Sequence, residues 1–412
     1  MNVNVVIVGS GHAGVSVAFK LRTLGFKGNI TVIGEDIYLP YHRPPLSKKY
    51  IANLADEGRL YLKPESQYRN EHIDLRLNCR VNAICRSQKQ IELEDGQRIH
   101  YDALVLATGA RARSLSEEQG GRAQNIHTLR SLSDAKRIRD AFTQNKNLLV
   151  VGGGYIGLEM AAVARSLGLQ VTLIEREDRI LGRVAAAQTA AHFKTLHQQH
   201  GVRVLEGVGL KYLEQSDDRV EKAGLSDGTV IDVDVVVVGI GVIPEVKLAQ
   251  EAGLNVANGI VVNHAGRTSD TDIYAVGDCA SFAFREQMIR LESVQNAVDM
   301  AEVVGRSITG ESASYDCQPW FWSDQYATKL QIAGLNLGYT HVAVRKKNDS
   351  SLSIWYFDRK RLIAVDAIND AKAFMTARRW LSTGQSPDLD EIANESLELS
   401  TLTLSEQTEL VT

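Results

Sequence analysis

Twice in this chain an apolar strand runs into a Gly-x-Gly-x-x-Gly turn, then a helical pattern, then a second apolar strand that closes on glutamate. The first unit reads Val5-Val6-Ile7-Val8, then Gly9-Ser10-Gly11-His12-Ala13-Gly14. A helical pattern follows from Val15 to Leu24, ended by Gly25, and strand Ile30–Ile33 leads to Glu35. The second reads Leu148–Val151, then Gly152-Gly153-Gly154-Tyr155-Ile156-Gly157. Its helix, Leu158–Leu167, ends at Gly168, and strand Val171–Ile174 runs into Glu175. In such a unit the first glycine makes a tight turn and the second lets backbone approach a pyrophosphate. The third lets helix and strand pack closely. The phosphates then meet the positive end of the helix, where N–H groups point outward. The closing carboxylate accepts hydrogen bonds from ribose hydroxyls. One isolated glycine pattern says little, but the whole context twice over implies two bound dinucleotides. Two dinucleotides on one chain suggest a flavin and a nicotinamide set for hydride transfer. Glu175 favours NADH, since a carboxylate there repels the 2′-phosphate of NADPH; Arg176, beside it, could attract that phosphate.

The remaining composition excludes more than it assigns. At 412 residues the chain exceeds one hydrophobic core, so two or three domains are expected. The net charge of −4 argues for neither nucleic acid nor membrane partners. The longest apolar run, Val235–Val242, is short, β-branched and glycine-punctuated, and reads as a buried strand. No basic segment followed by an apolar stretch opens the chain, so no signal peptide is expected and a cytoplasmic location is the default. Cys79, Cys85, Cys279 and Cys317 form no CxxC pair and lie near no histidine cluster, so neither a metal site nor a redox disulfide is expected.

Further segments carry a resemblance. Leu104-Val105-Leu106-Ala107-Thr108-Gly109 resembles the turn that closes the first FAD segment of two-dinucleotide flavoprotein reductases. Thr268-Ser269-Asp270-Thr271-Asp272-Ile273-Tyr274-Ala275-Val276-Gly277-Asp278 is similar to their second FAD segment. Disulfide reductases of that superfamily carry a cysteine pair near residues 40–50, and NADH oxidases and peroxidases carry one cysteine. Here Leu39-Pro40-Tyr41-His42-Arg43-Pro44-Pro45-Leu46-Ser47-Lys48 contains no sulfur, so thiol chemistry at the flavin is not expected. Arg43–Lys48, Gly153–Glu159, Ala275–Cys279, Glu292-Ser293-Val294 and Pro319–Gln325 resemble instead the FAD-dependent NADH:ferredoxin reductases of bacterial oxygenase systems. The resemblance covers about residues 3–385.

That resemblance implies an α/β fold. Two Rossmann-like dinucleotide-binding domains of the glutathione-reductase type would be followed by a C-terminal α+β domain with an antiparallel sheet. It implies hydride transfer from NADH to FAD, then single electrons to a [2Fe–2S] ferredoxin that serves a Rieske dioxygenase or a cytochrome P450. Carried over by position, FAD contacts fall on Gly9, Gly11, Ala13, Gly14, Glu35, Arg43, Lys48, Val81, Ala107, Arg130, Asp278 and Val294, with Val81 and Val294 acting through backbone. NADH contacts fall on Gly152, Gly154, Tyr155, Ile156, Glu159, Glu175, Arg183, Gly239 and Gly241. Hydride moves directly, so no acid or base is required. Lys48 and Glu159 are implied as an ion pair that tunes the flavin, and Trp322 as a shield beside it. The alternatives are an NADH oxidase, which the absent cysteine disfavours, and a signalling flavoprotein like apoptosis-inducing factor. The second would call for a targeting segment and a strongly basic surface.

The expected organisation is an FAD domain in two segments, 1–110 and 242–316, with an NADH domain, 111–241, between them. A third domain, 317–412, carries every tryptophan: Trp320, Trp322, Trp355 and Trp380. Runs at Lys329–Ala333, His341–Val344, Leu352–Tyr356 and Leu362–Asp366 suggest its sheet, followed by helix Ala371–Leu381. The last twenty residues are acidic and Ser/Thr-rich, a composition that predicts a mobile tail. Basic clusters Arg345-Lys346-Lys347, Arg359-Lys360-Arg361 and Arg378-Arg379 are candidates for docking an acidic ferredoxin.

Overall fold

The computed structural model describes residues 3–285 and 287–406. The chain forms two compact units: Met1–Arg43, Ala55–Arg111 and Val242–Cys317 make the first, and Pro44–Leu54, Ala112–Gly241 and Gln318–Thr412 make the second. The stretch expected as a third domain thus clusters with the second unit, as does the short segment Pro44–Leu54.

In the first unit a five-stranded sheet runs in the order Ile273–Ala275, Ala103–Leu106, Asn4–Val8, Asn29–Ile33, Ile73–Arg76. Every pairing is parallel. Val5, Val6, Ile7 and Leu104–Leu106 are buried, which explains why these strands read as unbroken apolar runs and not as alternation. Helix His12–Thr23 packs against helix Val294–Ile308. A three-stranded antiparallel sheet, Val81–Cys85, Gln90–Leu93 and Arg98–His100, precedes the return to strand Ala103–Leu106.

The second unit repeats the plan. Its parallel order is Arg203–Glu206, Gln170–Glu175, Asn147–Val151, Val235–Val238, Ile126–Thr128. Here too a three-stranded antiparallel sheet, Leu210–Ser216, Arg219–Leu225 and Val230–Asp232, precedes the fourth strand. Only the origin of the fifth strand differs: it comes late in the chain in the first unit and before all the others in the second.

Both glycine-turn helices begin earlier than their apolar periodicity predicts, at His12 instead of Val15 and at Tyr155 instead of Leu158. The polar or glycine residues of the turn are already helical, and periodicity cannot register them. Their N-caps, Gly11 and Gly154, are extended and supply no side-chain acceptor, so the first-turn N–H groups stay available.

The tryptophan-rich region is a five-stranded antiparallel sheet ordered Trp320–Gln325, Thr328–Gly334, Arg361–Ile368, Ser351–Asp358, His341–Asn348. Helix Ala371–Ser382 lies on it, burying Phe374, Ala377 and Trp380 against Trp355, Phe357 and Val365. The acidic tail expected to move is folded as far as Glu406. Gln385–Pro387 pairs antiparallel with Leu404–Glu406. Leu399 and Leu402 join the core around Trp380. Arg345 donates to the carbonyls of Ile392, Asn394 and Leu397. Spaced leucines, which a count of acidic and hydroxyl residues overlooks, hold this segment down; residues 407–412 of the expected tail lie outside the described residues. Among the described residues no helix is long and apolar enough to cross a membrane.

Candidate functional site

The glycine turns are built alike. Gly9 and Gly152 have φ of +116° and +105°, a region that side chains disfavour. A Cβ on Gly9 would lie 2.1 Å from the Ala107 carbonyl oxygen, and one on Gly152 would lie 2.6 Å from that of Gly239. The third glycines are tighter still: a Cβ on Gly14 would meet the Gly9 oxygen at 1.9 Å, and one on Gly157 the Gly152 oxygen at 2.0 Å. The middle glycines differ in kind. Beside Gly11 nothing lies within 4 Å of the Cβ position, and beside Gly154 only one oxygen does, at 3.9 Å. Each turn is therefore closed on the sheet side and open over an uncapped helix end. That shape and those donors fit the pyrophosphate of a dinucleotide.

The closing carboxylates are less alike. Glu35 is 70% exposed and pairs with Arg80 at 3.3 Å. Glu175 is half-buried, and both its oxygens are engaged by backbone: Oε2 accepts from Gly153 N at 2.7 Å and Oε1 from Glu177 N at 2.9 Å. Arg176 is turned to solvent and pairs with Glu177.

Of the other residues expected at FAD, Ala13 is buried in the first turn of its helix. Ala107 donates its N–H to the Val8 carbonyl, and Val81 is buried at the head of its strand. Arg43 lies over the Tyr41 ring at 5.5 Å. Asp278 sits in the single turn Gly277–Cys279, where its carbonyl accepts from Arg290. Val294 opens the helix whose N-cap, Ser293, accepts from Asn296 N. All of these belong to the first unit. Lys48 and Arg130 belong to the second; Arg130 directly precedes the capping box Ser131/Asp134 of helix Leu132–Gln144.

The residues expected at NADH all belong to the second unit. Gly239 packs against Gly157, and the Arg183 guanidinium reaches to 3.8 Å from the Cβ position of Gly241. Ile156 is exposed. The Tyr155 ring packs on Phe321 at 4.9 Å, and its hydroxyl is buried without a hydrogen-bond partner among the described residues. Burial, with Asp366 and Tyr356 nearby, raises its pKa. The segment carrying Arg183 is tied down just after it. Tyr356 Oη accepts from Ala186 N at 2.9 Å and donates to Asp366, which also accepts from Thr189 Oγ1 at 2.7 Å. Burial pushes the Asp366 carboxyl up to about 6.

The residues expected to tune the flavin form a compact cluster. Lys48 Nζ lies 2.7 Å from Glu159 Oε2, and Glu159 is only 2% exposed. Ser47 Oγ donates to Glu159 Oε2 at 2.5 Å, and Ser323 Oγ donates to Oε1 at 2.6 Å. Trp322, one residue from Ser323 on the same strand, points to the opposite face, 5.5 Å from Trp320. Ser47 and Ser323 were visible only as members of family-like segments, with no role attached. Beyond Ser323 lie two more buried residues: Gln325, which ends the family-like segment Pro319–Gln325 with no role attached, and His197, which nothing in the sequence singled out.

Two of the four thiols are buried, while Cys79 is half-buried and Cys85 exposed. Cys279 donates to the carbonyls of Leu106 and Val276. Burial raises the pKa of Cys279, and pushes that of Cys317 up to about 12. The basic clusters are unequal. Arg345 is spent on three carbonyls and Lys346 pairs with Asp349. Arg378 lies over the rings of Trp320 and Phe374. Lys347 and Lys360 are exposed.

Residues 3–301 match the family model described as pyridine nucleotide-disulphide oxidoreductase, and residues 320–403 match that described as reductase C-terminal. Rhodocoxin reductase of Rhodococcus erythropolis is 41% identical, over 96% of this chain and 93% of that one. Putidaredoxin reductase of Pseudomonas putida is 40% identical, over 99% of each. A crystal structure of the covalent putidaredoxin reductase–putidaredoxin complex superposes with a TM-score of 0.94 at 40% identity, covering 97% of both chains.

Proposed function

The chain belongs to the pyridine nucleotide-disulphide oxidoreductase family, and from that premise we propose that it is an NADH-dependent, FAD-containing ferredoxin reductase. It takes hydride from NADH and passes electrons singly to a [2Fe–2S] ferredoxin feeding a Rieske dioxygenase or a cytochrome P450. FAD, when bound, supplies the exchange between two-electron and one-electron chemistry. The turn at Gly9, Gly11 and Gly14 would hold its pyrophosphate, with Glu35 and Asp278 as acceptors for its hydroxyls. The turn at Gly152, Gly154 and Gly157 would hold NADH, with Glu175 as the acceptor that selects against a 2′-phosphate. Lys48 would offset negative charge gained on reduction, while Glu159 would hold that lysine in place and orient the nicotinamide amide. Trp322 would exclude water. The cell compartment is the cytoplasm.

One observation carries the reading. Where thiol-using relatives have sulfur, this chain has Ser47-Lys48 fastened to a buried Glu159, so electrons leave through no protein disulfide. The test is NADH-driven reduction of cytochrome c with and without a [2Fe–2S] ferredoxin. Oxygen uptake with NADH alone should be slow, and ferredoxin should raise the flux at least about tenfold, an effect that weakens with added salt. Lys347→Glu with Lys360→Glu should raise the KM for ferredoxin and leave flavin reduction by NADH unchanged. Fast oxygen turnover without stimulation by ferredoxin would make the protein an oxidase.

A further inference from the structure

A buried line of hydrogen bonds runs away from Glu159 through the second unit. Ser323 Oγ is 2.6 Å from Glu159 Oε1, and Gln325 Nε2 is 3.2 Å from Ser323 Oγ. His197 Nε2 is 2.8 Å from Gln325 Oε1, and Tyr326 Oη is 3.3 Å from His197 Nδ1. Ser323 and Gln325 share one face of strand Trp320–Gln325, two residues apart. His197 comes from the last turn of helix Ala187–Gln199, and Tyr326, with φ of +55°, makes the turn after the strand. Ser323, Gln325 and His197 are each fully buried. The ring of His200 stacks on Tyr326 at 3.7 Å and ends the line at the surface.

The direction of every link follows from its first member. A carboxylate only accepts, so the single hydroxyl proton of Ser323 must go to Glu159. Ser323 Oγ then has to accept, so Gln325 presents its amide N–H to it and its carbonyl to His197. A carbonyl cannot donate, so His197 must carry its proton on Nε2 and accept on Nδ1, from Tyr326. Every proton points toward Glu159. Aligned donors polarise one another, so the far members strengthen the bond at the near end.

We propose that His197, Gln325 and Ser323 are positioning residues that hold the Glu159 carboxylate in the orientation that fastens Lys48. This rests on the role given above to Lys48 and Glu159. Burial pushes the His197 imidazole down to about 4, in keeping with a neutral ring that donates from Nε2. The charged or titratable groups facing this end are His200, which lowers His197 further, and Arg165, which acts on Tyr326.

The inference is tested on the full FAD-loaded chain by two readouts. With 15N-labelled histidine, the His197 signals at pH 7, assigned by their loss in His197→Gln, should be those of a neutral ring protonated at Nε2. A ring protonated at Nδ1, or a charged imidazolium, overturns the direction of the line and with it the proposal. The second readout is the limiting rate of flavin reduction by NADH in single turnover. Ser323→Ala should lower it about tenfold, the scale of one hydrogen bond to a charged group. Ser323→Thr should retain most of the rate. His197→Leu should lower it about threefold, and His197→Gln, which restores a donor near Nε2, should recover it. Ser323→Ala should cost nothing further in a Glu159→Gln background. If Glu159→Gln slows reduction and the Ser323 and His197 variants do not, the positioning role fails and the function stands. If Glu159→Gln itself has no effect, the role of Glu159 fails first.

Discussion

The two dinucleotide units share strand order, glycine placement and an inserted antiparallel sheet, yet they treat the space around their turns differently. In the first, position ten is a serine, and room for it is made by Gly34, where a Cβ would meet Ser10 Oγ at 2.1 Å. In the second the same position is Gly153, and the space goes to Ile180 and Glu175, at 2.6 Å and 3.2 Å from where its Cβ would be. That exchange lets the Glu175 carboxylate close on Gly153 N, while Glu35 stays exposed beside Arg80. Backbone bonds fix Glu175 before any ligand arrives, and Glu35 must be ordered by what it binds. A preorganised acceptor discriminates more sharply, because less ordering entropy opposes the correct contact.

The largest test of the parallel is to break one unit at a time. Gly14→Ala and Gly157→Ala each force a Cβ within about 2 Å of a carbonyl oxygen, a core clash worth on the order of 4 kcal/mol. Gly14→Ala should yield protein lacking most of its FAD by absorbance. Gly157→Ala should yield yellow protein that NADH reduces poorly while dithionite reduces it normally. Loss of flavin from both variants would show that the units do not bind independently.

Next come the two carboxylates. Glu175→Ser should shift the kcat/KM ratio from NADH toward NADPH by roughly 1.5–3 kcal/mol, the value of a hydrogen bond to a charged group. Glu35→Ser should weaken FAD retention by less than about 1 kcal/mol, as expected for an exposed, ion-paired side chain. Equal effects at the two positions would undo the contrast between a fixed and an adjustable acid.

Asp366 adds a pH dependence to the second unit. Its carboxyl titrates at about 6 in the folded protein against an ordinary 3.8. The folded state holds that proton more tightly, so the stabilisation is complete below about pH 4 and lost as pH rises through 6. By pH 8 the loss amounts to about 2–3 kcal/mol. Asp366→Asn keeps an acceptor for Tyr356 or Thr189 and removes the charge, so its stability relative to the unmodified protein should grow between pH 5 and pH 8. Denaturant unfolding at both pH values measures this, and parallel curves would remove Asp366 as the cause.

The smallest expected effect concerns the four cysteines, which all lie in the first unit. Alkylation should reach the exposed Cys85 and the half-buried Cys79 and leave flavin reduction within about twofold of the untreated rate, because reactivity needs an accessible thiolate. Inactivation by one modified cysteine in folded protein would restore thiol chemistry.

Much of this was legible in the chain because backbone needs dictate residue type. A positive φ against a carbonyl demands glycine, and a parallel strand buried on both faces demands an apolar run. Hence Gly9, Gly152, Asn4–Val8 and Val235–Val238 announce themselves. Boundaries were harder: His12–Gly14 and Tyr155–Gly157 are helical although their composition belongs to the turn. Strand Trp320–Gln325 was marked only by family likeness, since three successive aromatic residues followed by three polar ones put both kinds on each face and hide the period of two. Lys48 was implied as the ion partner of Glu159, but the hydrogen-bonded line behind that carboxylate could not be seen. Ser323, Gln325 and His197 are polar residues whose meaning comes from contacts across long sequence separations. Arg345 misled for the same reason, because a surface charge and a carbonyl clamp look identical in one dimension.

The fifth strands have a consequence for synthesis. The second unit's parallel sheet draws on one uninterrupted stretch and can close soon after Val238 leaves the ribosome. The first unit's sheet begins at Asn4 and waits for Ile273–Ala275. Until then the apolar edge Ala103–Leu106 has no neighbour on one side. The domain that starts first is finished second, and a nascent chain stalled between the two events presents an adhesive edge to other chains.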